Sequence, residues 1–410
     1  MTVDDIAAGG HCVARVDGEV YFVRHALPGE KVRINVLERK KKIAFADAVE
    51  ILEPSPDRVE APCQWAGPGR CGGCDFQHVE PGAQRRLKAR VLTQQMERIG
   101  KVEPELLAAL AKAEGHEELT VEELPGGPLR WRTRMQYAVG KDGRAGLRSH
   151  RSSNIVHIDD CLIASERISE SDVLEKKWYR SSGKESRGRR DNQIGAVGVV
   201  DSDEDDLSVY TQRSRTAATR LVKGPKEIFQ HVGDHQFDMN YDGFWQVHPE
   251  AAGAFLDCVL EFTRPQSGEA AWDLYAGAGL YAAALADEVG RGGRVVAVEN
   301  NEAARTAANL ADFDNAGAIV GDVAATVGAL GGVDVVVLDP TRAGAGREVV
   351  ERVAEAGPRA VCYVACDAAA LARDAQTLRG LGYDLTRMRA FDAFPMTQHF
   401  ETIALFEKGE

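Results

Sequence analysis

The chain has 410 residues, enough for two or three domains with ample core, and 44% of them are hydrophobic, which excludes a disordered chain. Its net charge of −13 excludes a generally basic nucleic-acid coat but allows a local basic face. No apolar run approaches the ~18 residues of a membrane-spanning helix, and MTVDDIAAGG lacks the basic-then-apolar pattern of a secretory leader, so a cytoplasmic protein with no membrane partner is expected.

Residues 1–56 alternate apolar and polar, with turn signals at Asp17-Gly18 and Pro28-Gly29, and predict a small five-stranded, OB-like β-barrel. Arg39-Lys40-Lys41-Lys42 falls on a loop, either a solvated hairpin tip or an RNA backbone contact. Pro54-Ser55-Pro56 marks a boundary, and residues 57–235 form a central, β-rich region. It opens with Cys63-x7-Cys71-x2-Cys74, three of the eight cysteines within twelve residues. In a cytoplasmic chain such crowding reads as metal binding, with Cys161 as a fourth thiolate. Zinc and an iron–sulfur cluster both accept four thiolates; the missing second C-x-x-C pair leans toward 4Fe-4S. Residues 80–113 read as helical, with Leu87, Val91, Leu92 and Met96 on one face. From Arg130 to Arg151 seven arginines and lysines face one acid, Asp142, on alternating sequence. Arg132, Arg134 and Arg148 sharing a face would suit phosphates; a solvated sheet face is the other reading. Residues 181–206 read as loops or strand edges.

Residues 236–410 change to α/β texture, with apolar strands at 270–275, 294–298, 333–338 and 360–365, and predict a doubly wound parallel sheet. "AWDLYAGAGLYAAALA" is strand, glycine turn, helix; Asp273, Tyr275, Gly277 and Gly279 there form a cofactor turn suited to a nicotinamide dinucleotide or S-adenosylmethionine. Glu299 ends the next strand, in position for ribose hydroxyls, and Gly321-Asp322 forms a third turn. Ala282 in place of a third glycine, and Asp339-Pro340 directly after a buried strand, favour S-adenosylmethionine. Cys366, in "YVACDAAALARD", stands between a strand and a helix, as either a core cysteine or a nucleophile. An iron–sulfur oxidoreductase, a small-molecule methyltransferase and a non-catalytic RNA-binding module remain alternatives on these residues alone.

Taken in order, "GEVYFVRHALPGEKV", "CQWAGPGRCGGCDFQH", "FWQVHPE", "DLYAGAGLYAAALA", "VVLDPTRAG", "YVACDAAALARD" and "FPMTQHFETIALFEK" resemble the RNA uracil-5-methyltransferases of the TrmA and RlmD type over nearly the whole chain. The resemblance implies a class I, Rossmann-like methyltransferase domain, an N-terminal TRAM barrel and a central domain with a 4Fe-4S cluster on Cys63, Cys71, Cys74 and Cys161. It implies Cys366 as catalytic thiol, Glu401 as the proton-abstracting base, and Gln246, Tyr275, Glu299, Asp322 and Asp339 as S-adenosylmethionine contacts. It implies a monomer acting on 23S rRNA or tRNA. The chain departs from the family pattern at Thr341, Asp367, Ala368 and His248, and in the longer spacing before Cys71. Asp367 beside the thiol is expected to oppose thiolate formation.

Overall fold

The structure, a computed structural model, describes residues 1–178, 194–204, 206–301 and 305–409. Of the stretch 181–206 read as loops or strand edges, residues 181–193 and 205 lie outside the described residues. The chain forms two compact units: residues 1–87, 126–226 and 394–398, and residues 88–125, 227–393 and 399–410.

The first unit begins with β1 (Asp5–Ala7), β2 (His11–Val16), β3 (Glu19–Arg24), β4 (Lys31–Lys40) and β5 (Ile43–Glu53), in the order β1-β2-β3-β5-β4. Asp17 and Gly18 both take positive φ, 50° and 78°, as a two-residue hairpin between right-twisted strands requires. Ala14, Val23, Val32 and Ala44 fill the interior. Of the basic cluster, Arg39 is paired with Glu19 and Lys40 with Glu38, so Lys41 and Lys42 alone form the tip.

The helical stretch expected over 80–113 is two helices, α1 (Pro81–Arg98) and α2 (Pro104–Ala113). The break follows from Lys101, held at φ 52°, and from Pro104, which starts a helix but cannot continue one. After β6 (Glu122–Glu123) come β7 (Arg134–Val139), β8 (Ala145–Arg148), β9 (Ile155–Val156), α3 (Glu166–Ser169), β10 (Ala196–Asp201), β11 (Leu207–Gln212) and β12 (Arg220–Lys223). Strands β7 to β12 form one antiparallel sheet, β12-β11-β10-β7-β8-β9. Met135, Tyr137, Val197 and Val199 point to its buried face, while Arg134 and Gln136 alternate to the other.

The second unit continues with β13 (Glu227–Val232), β14 (His235–Asn240), α4 (Ala251–Thr263), β15 (Ala270–Leu274), α5 (Leu280–Val289), β16 (Arg294–Glu299), α6 (Thr306–Asn309), β17 (Ala316–Val320), α7 (Val323–Thr326), β18 (Val335–Leu338), α8 (Gly346–Ala356), β19 (Ala360–Ala365), α9 (Ala368–Gly380), β20 (Tyr383–Asp392) and β21 (Glu401–Lys408). Its eight-stranded sheet runs β17-β16-β15-β18-β19-β21-β20-β6. The expected parallel sheet is present from β17 to β19, but β21 inserts antiparallel between β19 and β20, so the whole is mixed. Every residue of β18 and β19 is buried, as in a central parallel strand covered on both faces. Residues 88–125 belong to this unit through ion pairs to β20: Lys88 with Asp392 at 2.5 Å, Arg387 with Glu114 at 2.8 Å and Arg389 with Glu122 at 2.7 Å. No helix among the described residues is long and apolar enough to cross a membrane.

Candidate active site

The cofactor turn starts where β15 ends. Tyr275 is held left-handed at φ 66°, a strained state for a bulky side chain, while its N–H and that of Ala276 donate to Val298 O at 3.0 and 3.1 Å. Gly277 follows at φ 54°, and a Cβ there would meet nothing within 4 Å, so the backbone lies open to a ligand. Gly279 caps α5. Asp273 is fully buried; its Oδ2 accepts Ala282 N–H at 2.9 Å, and burial, with the charges of Asp339 and Glu299, pushes its carboxyl up to about 8. Glu299 accepts from Gly277 N at 2.9 Å and Asn301 N at 2.7 Å, and Asp322 caps α7 by accepting Ala325 N–H at 3.0 Å.

The chemistry gathers at the same end of the sheet. In the antiparallel pairing of β19 and β21, Ala365 faces Thr402. Cys366 follows directly on β19 and Glu401 opens β21, so both lie next to the last pair of this ladder, and the charge of Glu401 is felt by the Cys366 thiol. Asp339 follows β18, whose Leu338 pairs with Tyr363 of β19. Burial, then the charges of Glu401 and Asp339, push the Cys366 thiol up to about 12, against Arg342, which draws it down. Glu401 is 4% exposed; burial and Asp339 hold its carboxyl well above the usual range, and again Arg342 opposes them. Burial raises Asp339 to about 7. Asp367 does not act as the sequence suggested: its Oδ1 accepts Ala370 N–H at 2.8 Å as the cap of α9, and Glu401, Asp339 and Arg342 are the main charges on the thiol.

Two residues of this site carry no recognisable sequence signal beyond their place in "YVACDAAALARD". Asp374, buried on α9, accepts Tyr363 O–H at 2.6 Å and Ala345 N–H at 2.9 Å. They hold the turn after Asp339 and Arg342, where Gly344 takes φ 86° and a Cβ would stand 2.7 Å from Asp374 Oδ2. Tyr275 O–H donates to Ala345 O at 3.5 Å, joining the cofactor turn to this loop. Gln246 lies half-buried in the connection between β14 and α4, and His248 in the same loop is buried and held down to about 4 by that burial, hence neutral. A wide groove of about 730 Å³ along the start of β16 and β17 holds none of these residues.

In the first unit Cys63, Cys71, Cys74 and Cys161 line one enclosed cavity of about 60 Å³, walled by Trp65, Met135, Leu147 and Ile158. Gly73 N–H points at Cys71 Sγ and Gln77 Nε2 at Cys74 Sγ, each at 3.4 Å. Burial raises the Cys71 thiol to about 11. Among the described residues no three His, Cys, Asp or Glu side chains are grouped to hold a single metal ion. Arg132, expected on the basic face, lines this cavity instead and donates from Nε to Arg134 O at 3.0 Å.

Residues 1–49 match the TRAM domain family and residues 332–409 the tRNA (uracil-5-)-methyltransferase family. The chain is 44% identical to an RNA methyltransferase of Streptomyces coelicolor over 99% of its own length and 92% of that protein. It is 32% identical to the 23S rRNA (uracil(1939)-C(5))-methyltransferase RlmD of Pseudomonas putida, over 100% of this chain and 93% of that one. Its fold is similar to that of the Pyrococcus abyssi tRNA (uracil-54, C5)-methyltransferase solved with S-adenosyl-L-homocysteine, with a TM-score of 0.71, 22% identity and 99% of both chains covered.

Proposed function

Because the chain belongs to the RNA uracil-5-methyltransferase family, we propose that it methylates C5 of a uridine in structured RNA through a covalent adduct on Cys366. The observation that supports this most is the β19–β21 pairing, whose last pair, Ala365 with Thr402, stands next to Cys366 and Glu401 at the end of the sheet that carries the cofactor turn.

C5 of uracil is a weak nucleophile. Addition of the Cys366 sulfur to C6 makes C5 enolate-like, splitting one hard step into easier ones. S-adenosylmethionine supplies the electrophilic methyl group. Glu401 then takes the C5 proton, and elimination restores the ring and frees the thiol. Asp273, Tyr275, Gly277, Gly279, Glu299, Asp322, Asp339 and Gln246 are the residues we assign to cofactor binding. The open backbone at Gly277 and the carboxylate of Glu299 fit an adenosine-containing ligand. The target base must leave its stack to reach the half-buried Cys366 thiol.

The relative named for 23S rRNA favours ribosomal RNA over tRNA as the target, which would set the protein in the cytoplasm. Incubating the purified chain with tritiated S-adenosylmethionine and either 23S rRNA or tRNA tests this. Label recovered as 5-methyluridine in 23S rRNA is the expected result; label in tRNA alone would reverse the assignment, and none in either would refute the activity.

We also assign a 4Fe-4S cluster to Cys63, Cys71, Cys74 and Cys161. A cluster needs one thiolate per iron around a void, with N–H groups near its sulfurs, and the cavity lined by four cysteines supports this reading. Anaerobically purified protein should hold about four irons per chain. Stoichiometric zinc would contradict this.

A further inference from the structure

The loop from Asp339 to Ala345 joins β18 to α8 and carries Arg342, whose charge is felt by both the Cys366 thiol and the Glu401 carboxyl. Gly344 N–H donates to Thr341 O at 2.8 Å and closes a β-turn with Arg342 and Ala343 at its centre. Arg342 is exposed, so its place depends on the backbone that carries it rather than on packing of its side chain.

That backbone rests on two buried side chains. Leu338, the last residue of β18, pairs with Tyr363 of β19 where the loop begins. The loop comes back to the same tyrosine where it ends: Ala345 N–H is shared between Tyr363 Oη and Asp374 Oδ2, at 2.9 Å to each. Asp374 Oδ2 also accepts Tyr363 O–H at 2.6 Å and Gly346 N–H at 3.2 Å. Burial, with Asp374 beside it, keeps the Tyr363 hydroxyl protonated and hence a donor. Tyr363 is 0% and Asp374 5% exposed. A carboxyl group in so dry a place is costly unless it is hydrogen-bonded, and here one of its oxygens takes three donors. Two of them, the N–H groups of Ala345 and Gly346, open α8, where a helix has no partner of its own to offer. Gly344 lies directly on this group: its φ is 86°, and a Cβ there would stand 2.7 Å from Asp374 Oδ2 and 3.2 Å from Ala370 Cβ. Tyr363 precedes Cys366 in the chain and Asp374 follows it, so the segment that bears the thiol also grips the loop that bears the cation.

We propose that Asp374, with Tyr363, is a positioning residue for the reaction: it fixes the 339–345 loop so that the Arg342 charge acts on the Cys366 thiol. The role rests on the reading of Cys366 as the nucleophile.

The test follows alkylation of Cys366 by iodoacetamide in the full chain, read at that residue by peptide mapping. Asp374→Ala releases the loop and should slow alkylation at fixed pH about threefold, the equivalent of about half a pKa unit. Asp374→Asn keeps the shape and an acceptor oxygen and should restore the wild-type rate. Gly344→Ala lifts the loop while both buried side chains stay, and should slow alkylation likewise. The decisive comparison is made in an Arg342→Gln background. If Asp374 acts through Arg342, neither Asp374→Ala nor Gly344→Ala slows alkylation further there. Asp374→Ala alkylated as fast as wild type, with both folded by circular dichroism, overturns the proposal. So does an equal slowing with and without Arg342, the result that a general loosening of the fold would give. If Asp374→Ala does not fold, Gly344→Ala decides by the same two comparisons. Alkylation needs no RNA, so a chain that shows this dependence yet methylates no RNA would refute the proposed function and leave the positioning role standing.

Discussion

Arg342 is a cation that acts on both members of the proposed reacting pair, Cys366 and Glu401. It lowers a Cys366 thiol that burial, Glu401 and Asp339 push up to about 12, and it opposes the rise at Glu401. Removing its charge raises the thiol further and shrinks the thiolate fraction at any fixed pH. Arg342→Gln should therefore slow alkylation of Cys366 by iodoacetamide about tenfold for each pKa unit gained. It should also move the alkaline rise of the methylation rate to higher pH. Unchanged alkylation would show that Arg342 does not tune the thiol. Motif resemblance pointed to Cys366 and Glu401 as the proposed pair, but their environment was not legible in the sequence. Asp367 looked like the carboxylate opposing the thiol because it is its chain neighbour, but the start of α9 claims its side chain as a cap. The carboxylates that do act come from β18 and β21, far away in sequence.

At the scale of elements, the site depends on the antiparallel insertion of β21 between β19 and β20, which brings a strand start to the carboxyl ends of the parallel strands. The apolar runs of β15, β18 and β19 were readable because they are buried on both faces, and that of β16 because half of it is buried. The edge strand β17, sequence AGAIV, was missed because it is largely exposed and carries little apolar signal. The anchoring of α1 was illegible too: Lys88 and Asp392 are 304 residues apart, yet meet at 2.5 Å with 1% and 5% of their side chains exposed. Such a pair is costly to break one-sidedly, since the survivor is left buried and charged. Lys88→Met should destabilise the second unit by about 3–5 kcal/mol. The double variant Lys88→Met with Asp392→Leu should recover much of that loss. Chemical denaturation of both variants checks this; a single variant as stable as wild type would show the pair to be incidental.

Across the whole molecule the two units should answer acid with opposite sign. In the first, burial holds His11 down to about 4 and His25 to about 3, and although His25 and Asp47 approach to 4.0 Å, burial drives both toward neutrality rather than toward an ion pair. Both histidines are more easily protonated when unfolded. Their contribution is thus complete above about pH 6.5 and is lost as pH falls toward 4 and 3. In the second unit Asp273, raised to about 8, and Asp339, raised to about 7, bind protons more readily when folded, so that unit gains stability as pH falls from 8 toward 4. Hydrogen exchange should therefore quicken in β2–β5 between pH 7 and pH 5, after correction for the intrinsic rate, while β15–β19 become better protected. A common change in both would contradict these assignments. The proposed order, Cys366 before Glu401, is tested directly by denaturing electrophoresis of Glu401→Gln after incubation with substrate RNA and methyl-labelled S-adenosylmethionine. If Glu401 removes the C5 proton, this variant still adds its thiol and still transfers the methyl, but stalls before elimination. A labelled protein–RNA band should persist, and it should vanish when Cys366→Ala is added. Turnover of Glu401→Gln at the wild-type rate with no such band would contradict the assignment of Glu401 as the base.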